Sequence, residues 1–338
     1  RYSEASLVKK LEEQMIEYCN AQAAVAVSSG TDALLMALMA LDIGPGDEVI
    51  TTPFTFFATA GSIARVGATP VFCDIDPRTF NMNPASVVEK ITPLTKAIMP
   101  VHLFGQMVDM DAILAIAKEH SLFVIEDAAQ AIGATYTSKD GQCYKAGSMG
   151  DFGCFSFFPS KNLGCCGDGG LVTTQNEALA EKCRILRVHG SKPKYHHHVI
   201  GGNFRLDPLQ AAILLVKLPY LDSQHEKRRA NAAFYDTHLS HSYIKPYVID
   251  GNEMIYNQYT LRSNKRDIVI DRLTNFGIGS AIYYPVPLHL QACFSHLGYK
   301  EGDCPEAERA SQEVFSIPIY AELSLDERAY VVECLNSI

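Results

Sequence analysis

The sequence predicts an α/β protein: a mostly parallel sheet in a large domain, followed by a smaller C-terminal α+β domain. Three observations carry this. Helical and strand-like apolar patterns alternate from about residue 30 to residue 150, the strands then follow one another more closely, and past about residue 220 a charged helical stretch leads into a second, smaller set of elements. Alternation at this spacing means βαβ crossovers, whose strands are buried on both faces and read as continuous apolar runs.

Taken in order, DALLMALMALDIG predicts a buried helix closed by Gly44, DEVITTP a short strand, ATAGSIARVG a helix and TPVFCDI a strand. PASVVEKI, KAIMPVHLF, MDAILAIAKEH and LFVIEDAA repeat the cycle. FGCFSFF and GGLVTT are closely spaced strands, and NEALAEKCRILRVHG is a helix. A long apolar helix, LDPLQAAILLVKLPYLDSQ, runs into the charged segment HEKRRANAAFYD, where we expect the domain boundary: 1–225 for the large domain and 226–338 for the small one. In the small domain QYTLR predicts a strand, RDIVIDRLTNFG a helix and AIYYPV a second strand.

Composition narrows the function. A chain of 338 residues with 47% hydrophobic and 20% charged residues can bury a large core, and no apolar run approaches a membrane span. The net charge of −9 and pI near 5.7 argue against a nucleic-acid partner. The ten cysteines are scattered through apolar segments, no CxxC occurs, and the opening residues lack a signal-peptide pattern, so a reducing cytoplasm is expected. Cys165 and Cys166 read as small-residue packing. His196, His197 and His198 are consecutive and point different ways, so no metal site is expected.

Chemistry gathers in three places. In SSGTDALL, Ser28 and Ser29 cap a helix whose first residues Gly30, Thr31 and Asp32 leave N–H groups open to a phosphate, although an ordinary N-cap looks the same. LFVIEDAAQAIGA is a strand ending in two acids, Glu126 and Asp127, with Gln130 one turn on; side-chain alternation puts only one acid on a given face and does not say which. In FSFFPSKNLGCCGDGG, Ser156 and Lys161 lie between aromatics and glycines. A lysine there is costly unless its charge is paired or removed. The lysine precedes the glycines, so this is not a P-loop, and no GxGxxG follows a strand. A phosphate-binding helix start, a strand-end acid and a separate lysine meet the requirements of pyridoxal phosphate: the lysine condenses with the aldehyde, and the acid keeps the pyridine nitrogen protonated.

At these residues the sequence resembles the DegT-type nucleotide-sugar aminotransferases, of the aspartate aminotransferase fold (fold type I of the pyridoxal phosphate enzymes). The segments GTDALLMALMALDIGPGDEVI, FTFFAT, PVFCDID, TKAIMPVHLFG, IEDAAQAIGA, FSFFPSKNLGCCGDGG, NFRLDPLQAAIL and YYPVPLH follow the family's pattern in its order. The resemblance implies that Lys161 binds the cofactor aldehyde and then serves as the proton-moving base, and that Asp127, rather than Glu126, partners the pyridinium. It implies Gln130 on the side of the ring's phenolic oxygen, Gly30, Thr31 and Ser156 at the phosphate, and Phe56 stacked on the ring. Asn203 would reach the phosphate of the neighbouring subunit, which implies a homodimer with shared sites. Arg205 matches an arginine available to an anionic substrate group, its other role being a structural salt bridge.

Some relatives that remove a sugar hydroxyl carry histidine at the lysine position, so Lys161 favours transamination. The implied substrates are glutamate as donor and a nucleotide-linked keto sugar as acceptor. The branch most resembled aminates carbon 3 of a UDP-linked 2-acetamido-3-keto-uronic acid, for cell-surface polysaccharide biosynthesis. The alternatives are a neutral 3-keto or 4-keto deoxysugar on UDP or dTDP, and a non-catalytic metabolite-sensing regulator, for which the chain has no DNA-binding module. A different pyridoxal phosphate reaction, such as a cysteine desulfurase, is disfavoured by FFPSKNLG and YYPVPLH.

Overall fold

Strands that are apolar at every position need cover on both faces, and the central strands have it. The computed structural model describes residues 5–338. The main sheet is built from β1 (Ala23–Val27), β2 (Glu48–Thr51), β3 (Thr69–Phe72), β4 (Thr95–Met99) and β5 (Phe123–Asp127). After a short hairpin, β6 (Thr135–Thr137) and β7 (Cys143–Lys145), it is completed by β8 (Phe152–Ser156) and β9 (Gly170–Thr174). Its seven strands lie in the order β1-β9-β8-β5-β4-β2-β3. β3, β2, β4, β5 and β8 pair in parallel, whereas β9 runs against both β8 and β1. The mostly parallel α/β fold expected from the sequence is the fold observed. The carboxyl ends of β4, β5 and β8 therefore open on one edge, where ligands of such sheets bind.

The helix Gly30–Ala40 buries Ala33, Leu34, Leu35, Met36, Ala37, Leu38 and Ala40, as its near-continuous apolar sequence requires. It ends earlier than expected. Leu41 is the C-cap and Asp42 takes the left-handed conformation (φ 57°) that stops the helix, while the Gly44 N–H is held by the Asp47 carboxylate at 3.0 Å. Asp can bond locally in that conformation, which makes it a substitute for glycine.

The long C-terminal helix also divides differently. Pro208–Lys217 is one helix, a 3-10 turn follows at Leu218–Tyr220, and Leu221–His238 is a second helix. Pro219 supplies no N–H, which breaks the ladder between them. Leu221 packs in one apolar cluster with Leu11, Met15 and Leu214, whereas Ala232 and Tyr235 pack in another with Phe54, Phe72 and residues of the C-terminal elements, so this helix passes from one cluster to the other. In the small unit β11 (Tyr259–Arg262) pairs antiparallel with β12 (Val314–Ile317). The segment AIYYPV is not the second strand: Ala281 makes one bridge to Ser316 and the ladder stops. Pro285 and Pro287 cannot donate, and the wholly buried VFSI takes that place. Ahead of β11, β10 (Asn252–Glu253) pairs with β6. Among the described residues no helix is long and apolar enough to cross a membrane.

One buried titratable group ties the Leu221–His238 helix to the body. His225 is 2% exposed, and a Cβ on Gly133 would overlap its ring and the Tyr18 hydroxyl. Its Nε2 has no partner among the described residues. Burial pushes its pKa from the usual 6.5 down to about 4, against the pull of Asp222 and assisted by Arg228, Arg229 and Lys145. The unfolded chain then binds more protons than the folded one between those two values, so stability is full above the unfolded pKa and is lost as pH falls through the folded one. We expect wild-type unfolding free energy to fall by about 2–3 kcal/mol between pH 7 and pH 4 on account of this group. The loss should be absent from His225→Gln in paired urea titrations.

Candidate active site

The two acids that end β5 face opposite ways, and their surroundings give them different work. Glu126 is fully buried. Its Oε1 accepts from the N–H groups of Met149 (2.8 Å) and Gly150 (2.6 Å), and its Oε2 accepts from the Gly147 N–H (2.8 Å) and from His102 Nε2 (2.8 Å). The Val108 N–H donates to His102 Nδ1 at 3.2 Å, which places the ring proton on Nε2, aimed at Glu126. Glu126 is thus consumed in tying loop 147–150 and residues 102–108 to the strand.

Asp127 turns toward the open edge. Its Oδ2 accepts from the Thr59 hydroxyl at 2.7 Å and its Oδ1 from the Ala129 N–H at 3.2 Å. Because Thr59 donates to the carboxylate, the 3.0 Å contact between Thr55 and Thr59 must run from the Thr55 hydroxyl to Thr59 Oγ1. Both of these donors to Asp127 are neutral. Burial pushes the Asp127 carboxyl up, while the Thr59 and Ala129 bonds, then the Lys161 charge and His102, pull it down. Lys161 responds in the mirror sense: burial holds its ammonium below the usual lysine range and the Asp127 charge pulls it back up. Each group is therefore driven toward its neutral form until another charge arrives.

Lys161 sits in the turn that follows β8, with its N–H on the Phe158 carbonyl at 2.9 Å. Gly164 closes this turn, since a Cβ there would lie 2.6 Å from the Pro159 carbonyl oxygen. β8 also delivers Ser156 to the start of the Gly30–Ala40 helix. A Cβ on Gly30 would come within 2.6 Å of Ser156 Cβ, so only glycine lets the helix start meet the strand end. Ser29 Oγ caps the Asp32 N–H at 3.0 Å, and the Gly30 and Thr31 N–H groups find no partner among the described residues. An open pair of N–H groups at a helix N-terminus, a serine hydroxyl beside it, a buried acid and a lysine of lowered basicity form a donor set that fits pyridoxal phosphate: an anion seat, a partner for a cationic ring nitrogen, and an amine.

Gln130 joins this group from the side. Its Oε1 accepts from the Phe104 N–H at 2.7 Å, and its Nε2 donates to the Tyr284 hydroxyl at 3.0 Å. Tyr284 lies close enough to Asp127 for that charge to raise its pKa further, beyond the effect of burial. Phe56 is 60% exposed and shares a cleft of about 480 Å³ with Thr31, Phe57 and Phe294. Asn203 and Arg205 are exposed, on the arm that joins the Glu177–Leu186 and Pro208–Lys217 helices. Asn203 bridges Val188, and Arg205 bridges Val27 at the end of β1, just before the Gly30–Ala40 helix. Arg205 takes part in none of the ion pairs among the described residues. His196, His197 and His198 are exposed on the same arm. Among the described residues no group of three or more His, Cys, Asp or Glu could hold a metal ion. Sequence reasoning missed Thr59 and Tyr284. Thr59 lies in FTFFAT, where nothing local singles it out, and Tyr284 lies in YYPVPLH, whose interest was obscured by reading it as a strand.

The chain matches the model of the DegT/DnrJ/EryC1/StrS aminotransferase family over residues 1–336. It is 54% identical to a pleiotropic regulatory protein of Geobacillus stearothermophilus, covering 98% of this chain and 89% of the relative. It is 48% identical to a UDP-N-acetyl-3-dehydro-α-D-glucosamine 3-aminotransferase of Acidithiobacillus ferrooxidans, over 92% of this chain and 83% of that one. Identity is 43% to a UDP-2-acetamido-2-deoxy-3-oxo-D-glucuronate aminotransferase of Pseudomonas aeruginosa, over 94% and 86%. Among solved structures, DesV of S. venezuelae superposes with a TM-score of 0.95 at 38% identity, covering 98% of this chain and 89% of that one.

The environment of Glu126 yields a direct test. Glu126→Gln keeps the shape but puts an NH₂ group where two donors already point, whichever way the amide turns. We expect a loss of about 2–4 kcal/mol in urea unfolding. Wild-type stability in this variant would show that the four bonds are not what holds the loop.

Proposed function

The chain belongs to the DegT/DnrJ/EryC1/StrS aminotransferase family, and from that we propose that it moves the amino group of glutamate onto a UDP-linked 2-acetamido-3-keto sugar. It is a pyridoxal phosphate-dependent aminotransferase of fold type I. The observation that carries the assignment of its parts is the half-buried Lys161 amine opposite buried Asp127, with the open Gly30 and Thr31 N–H groups and Ser156 at the adjoining helix start.

When bound, the cofactor supplies an aldehyde that condenses with amines and a protonated ring that withdraws electrons. Gly30, Thr31 and Ser156 would bind its phosphate, Phe56 would cover the ring and Gln130 would orient its oxygen side. Asp127 would hold the proton at the pyridine nitrogen; one such contact is worth roughly 4 kcal/mol at an effective dielectric near 20. That cation in turn would keep Asp127 ionised against the push of burial. Lys161, made less basic by burial, would present a neutral amine to hold the cofactor, and once released its Nζ would take the proton from the donor's α carbon.

We further propose a homodimer in which Asn203 completes the partner's site, and units 1–225 and 226–338 as its two domains. Supporting the dimer, the arm and helix beside Asn203 expose Tyr195 (79%), Ile200 (91%), Leu209 (71%) and Val216 (69%), an apolar set that water disfavours. For the acceptor, Arg205, which is in no ion pair among the described residues, suits a uronic acid, as in the Pseudomonas relative, through two parallel bonds to its carboxylate. The Acidithiobacillus relative, the more similar of the two, favours the uncharged 3-keto sugar. The name of the Geobacillus relative raises a regulator, but the buried acid, the lysine of lowered basicity and the open helix start support catalysis.

Borohydride treatment of the holoenzyme should fix the cofactor covalently, and peptide mass analysis should find it on Lys161. Trapping should increase as pH rises, with a midpoint below that of an ordinary lysine, because burial depresses this amine. Lys161→Ala should trap nothing and turn over no substrate. Label on another lysine would refute the assignment. For the acceptor, the pyridoxamine form should aminate the UDP-linked uronic acid at least about tenfold faster than its uncharged counterpart, and Arg205→Ala should remove that preference. Equal rates in wild type, or a preference for the neutral sugar, would exclude the uronic acid and leave the aminotransferase standing.

A further inference from the structure

We infer that Asn162 and Asn257 are positioning residues for Lys161, so that a segment of the C-terminal part of the chain sets where the lysine amine sits; this rests on the reading of Lys161 as the cofactor lysine. Both amides are buried, at 7% and 9% exposure. Asn162 Nδ2 donates to the Ile255 carbonyl at 3.2 Å, which turns its Oδ1 toward Asn257, and Asn257 Nδ2 donates to that oxygen at 2.8 Å. Turning either amide over would set like groups against one another, so the orientation of both is determined. Asn257 Oδ1 is left without a partner among the described residues. A buried open acceptor costs stability, so Asn257 is kept here at a cost. What asparagine adds is the donor aimed at the residue after Lys161.

The tether is anchored at its other end. The Ile255 N–H donates to the Gly105 carbonyl at 3.0 Å and the Asn257 N–H to the Phe104 carbonyl at 2.9 Å. Phe104 and Gly105 turn a corner with φ of 58° and 101°, and a Cβ on Gly105 would lie 2.8 Å from Ile255 Cγ1 and 3.0 Å from the Asn257 nitrogen. Only glycine permits that approach. The Phe104 N–H then donates to Gln130, which donates to Tyr284. One run of hydrogen bonds thus joins the neighbour of Lys161, through residues 255–257, to Gln130 and Tyr284 on the far side of the site. Within its own turn the lysine has the Phe158 bond and the Cys165 N–H to Phe157 carbonyl bond (2.7 Å), and Lys217 Nζ holds the Gly164 carbonyl from outside. None of these bears on the side of the turn that Asn162 occupies.

A plain staple between segments would change stability and nothing else. A positioning pair must change the reactivity of the amine. The decisive variant is Asn257→Leu, which keeps the branched shape and removes the donor, exchanging the open Asn257 Oδ1 for an open Asn162 Oδ1. Asn257→Ala and Asn162→Ala cover the case in which leucine does not fold. For each apoprotein, the rate at which added pyridoxal phosphate develops the absorbance of the lysine-bound form would be followed, with the pH midpoint of that absorbance and the melting temperature. We expect about a tenfold slower rate and a displaced midpoint in each folded variant. Wild-type rate and midpoint in the folded variants overturn the inference, whatever happens to their melting temperatures. The borohydride label on wild type keeps the two failures apart: label away from Lys161 removes the underlying reading, whereas label on Lys161 with unaltered kinetics in the variants removes this inference alone.

Discussion

A carboxylate without access to solvent has to collect its hydrogen bonds from the protein, and Glu126 collects four: three backbone N–H groups of residues 147–150 and the imidazole of His102. The rest of the site depends on this. The bonds pin the loop that leads into β8, and so the origin of the strand that ends in Ser156 and the lysine turn. They pin His102, whose backbone N–H is itself on the Asp127 carbonyl at 3.0 Å. With Glu126 facing that loop, strand alternation presents Asp127 to the open edge of the sheet.

The charges at that edge are arranged to be incomplete. Burial pushes Asp127 up and Lys161 down, and neither receives an opposite charge at bonding distance among the described residues. A stable ion pair at this place would lock the lysine and cancel the acid. Instead the protein holds Asp127 with a hydroxyl and a backbone N–H, neutral donors that orient the carboxylate without neutralising it. On the proposed assignment, a cationic ring nitrogen and an aldehyde would supply what each lacks, so that one pocket would both bind the cofactor and use it.

The helix start adds the third component at low cost in side chains. Ser29 satisfies one N–H of the first turn and leaves those of Gly30 and Thr31 open among the described residues, while the missing Cβ of Gly30 lets Ser156 stand against them. An anion seat of this kind needs no lysine or arginine of its own. Arg205 lies outside this seat, which is consistent with the substrate-side role proposed for it.

Much of this was legible from residue order. The alternation of apolar runs determined the parallel sheet, the SSGT helix start and the ED strand end were visible as motifs, and Lys161 stood out because no ordinary environment suits it. Local pattern failed where a decision depended on distant partners. It read AIYYPV as a strand because its side chains suit one, but strand pairing is a contest between segments, and VFSI, without prolines and buried at every position, fills the place beside β11. It left Glu126 and Asp127 unassigned because alternation separates two faces without saying which is the edge; the resemblance named Asp127, and the loop at 147–150 gives Glu126 its separate work. Thr59, Tyr284, Asn162 and Asn257 carried no signal, since their partners lie 68, 154, 93 and 95 residues away in the chain. Residue type and spacing thus determined which chemistry the chain can hold. Which atoms face it was decided only when the folded backbone brought those distant donors and acceptors together, because a hydrogen bond is set by position in space and not by separation along the sequence.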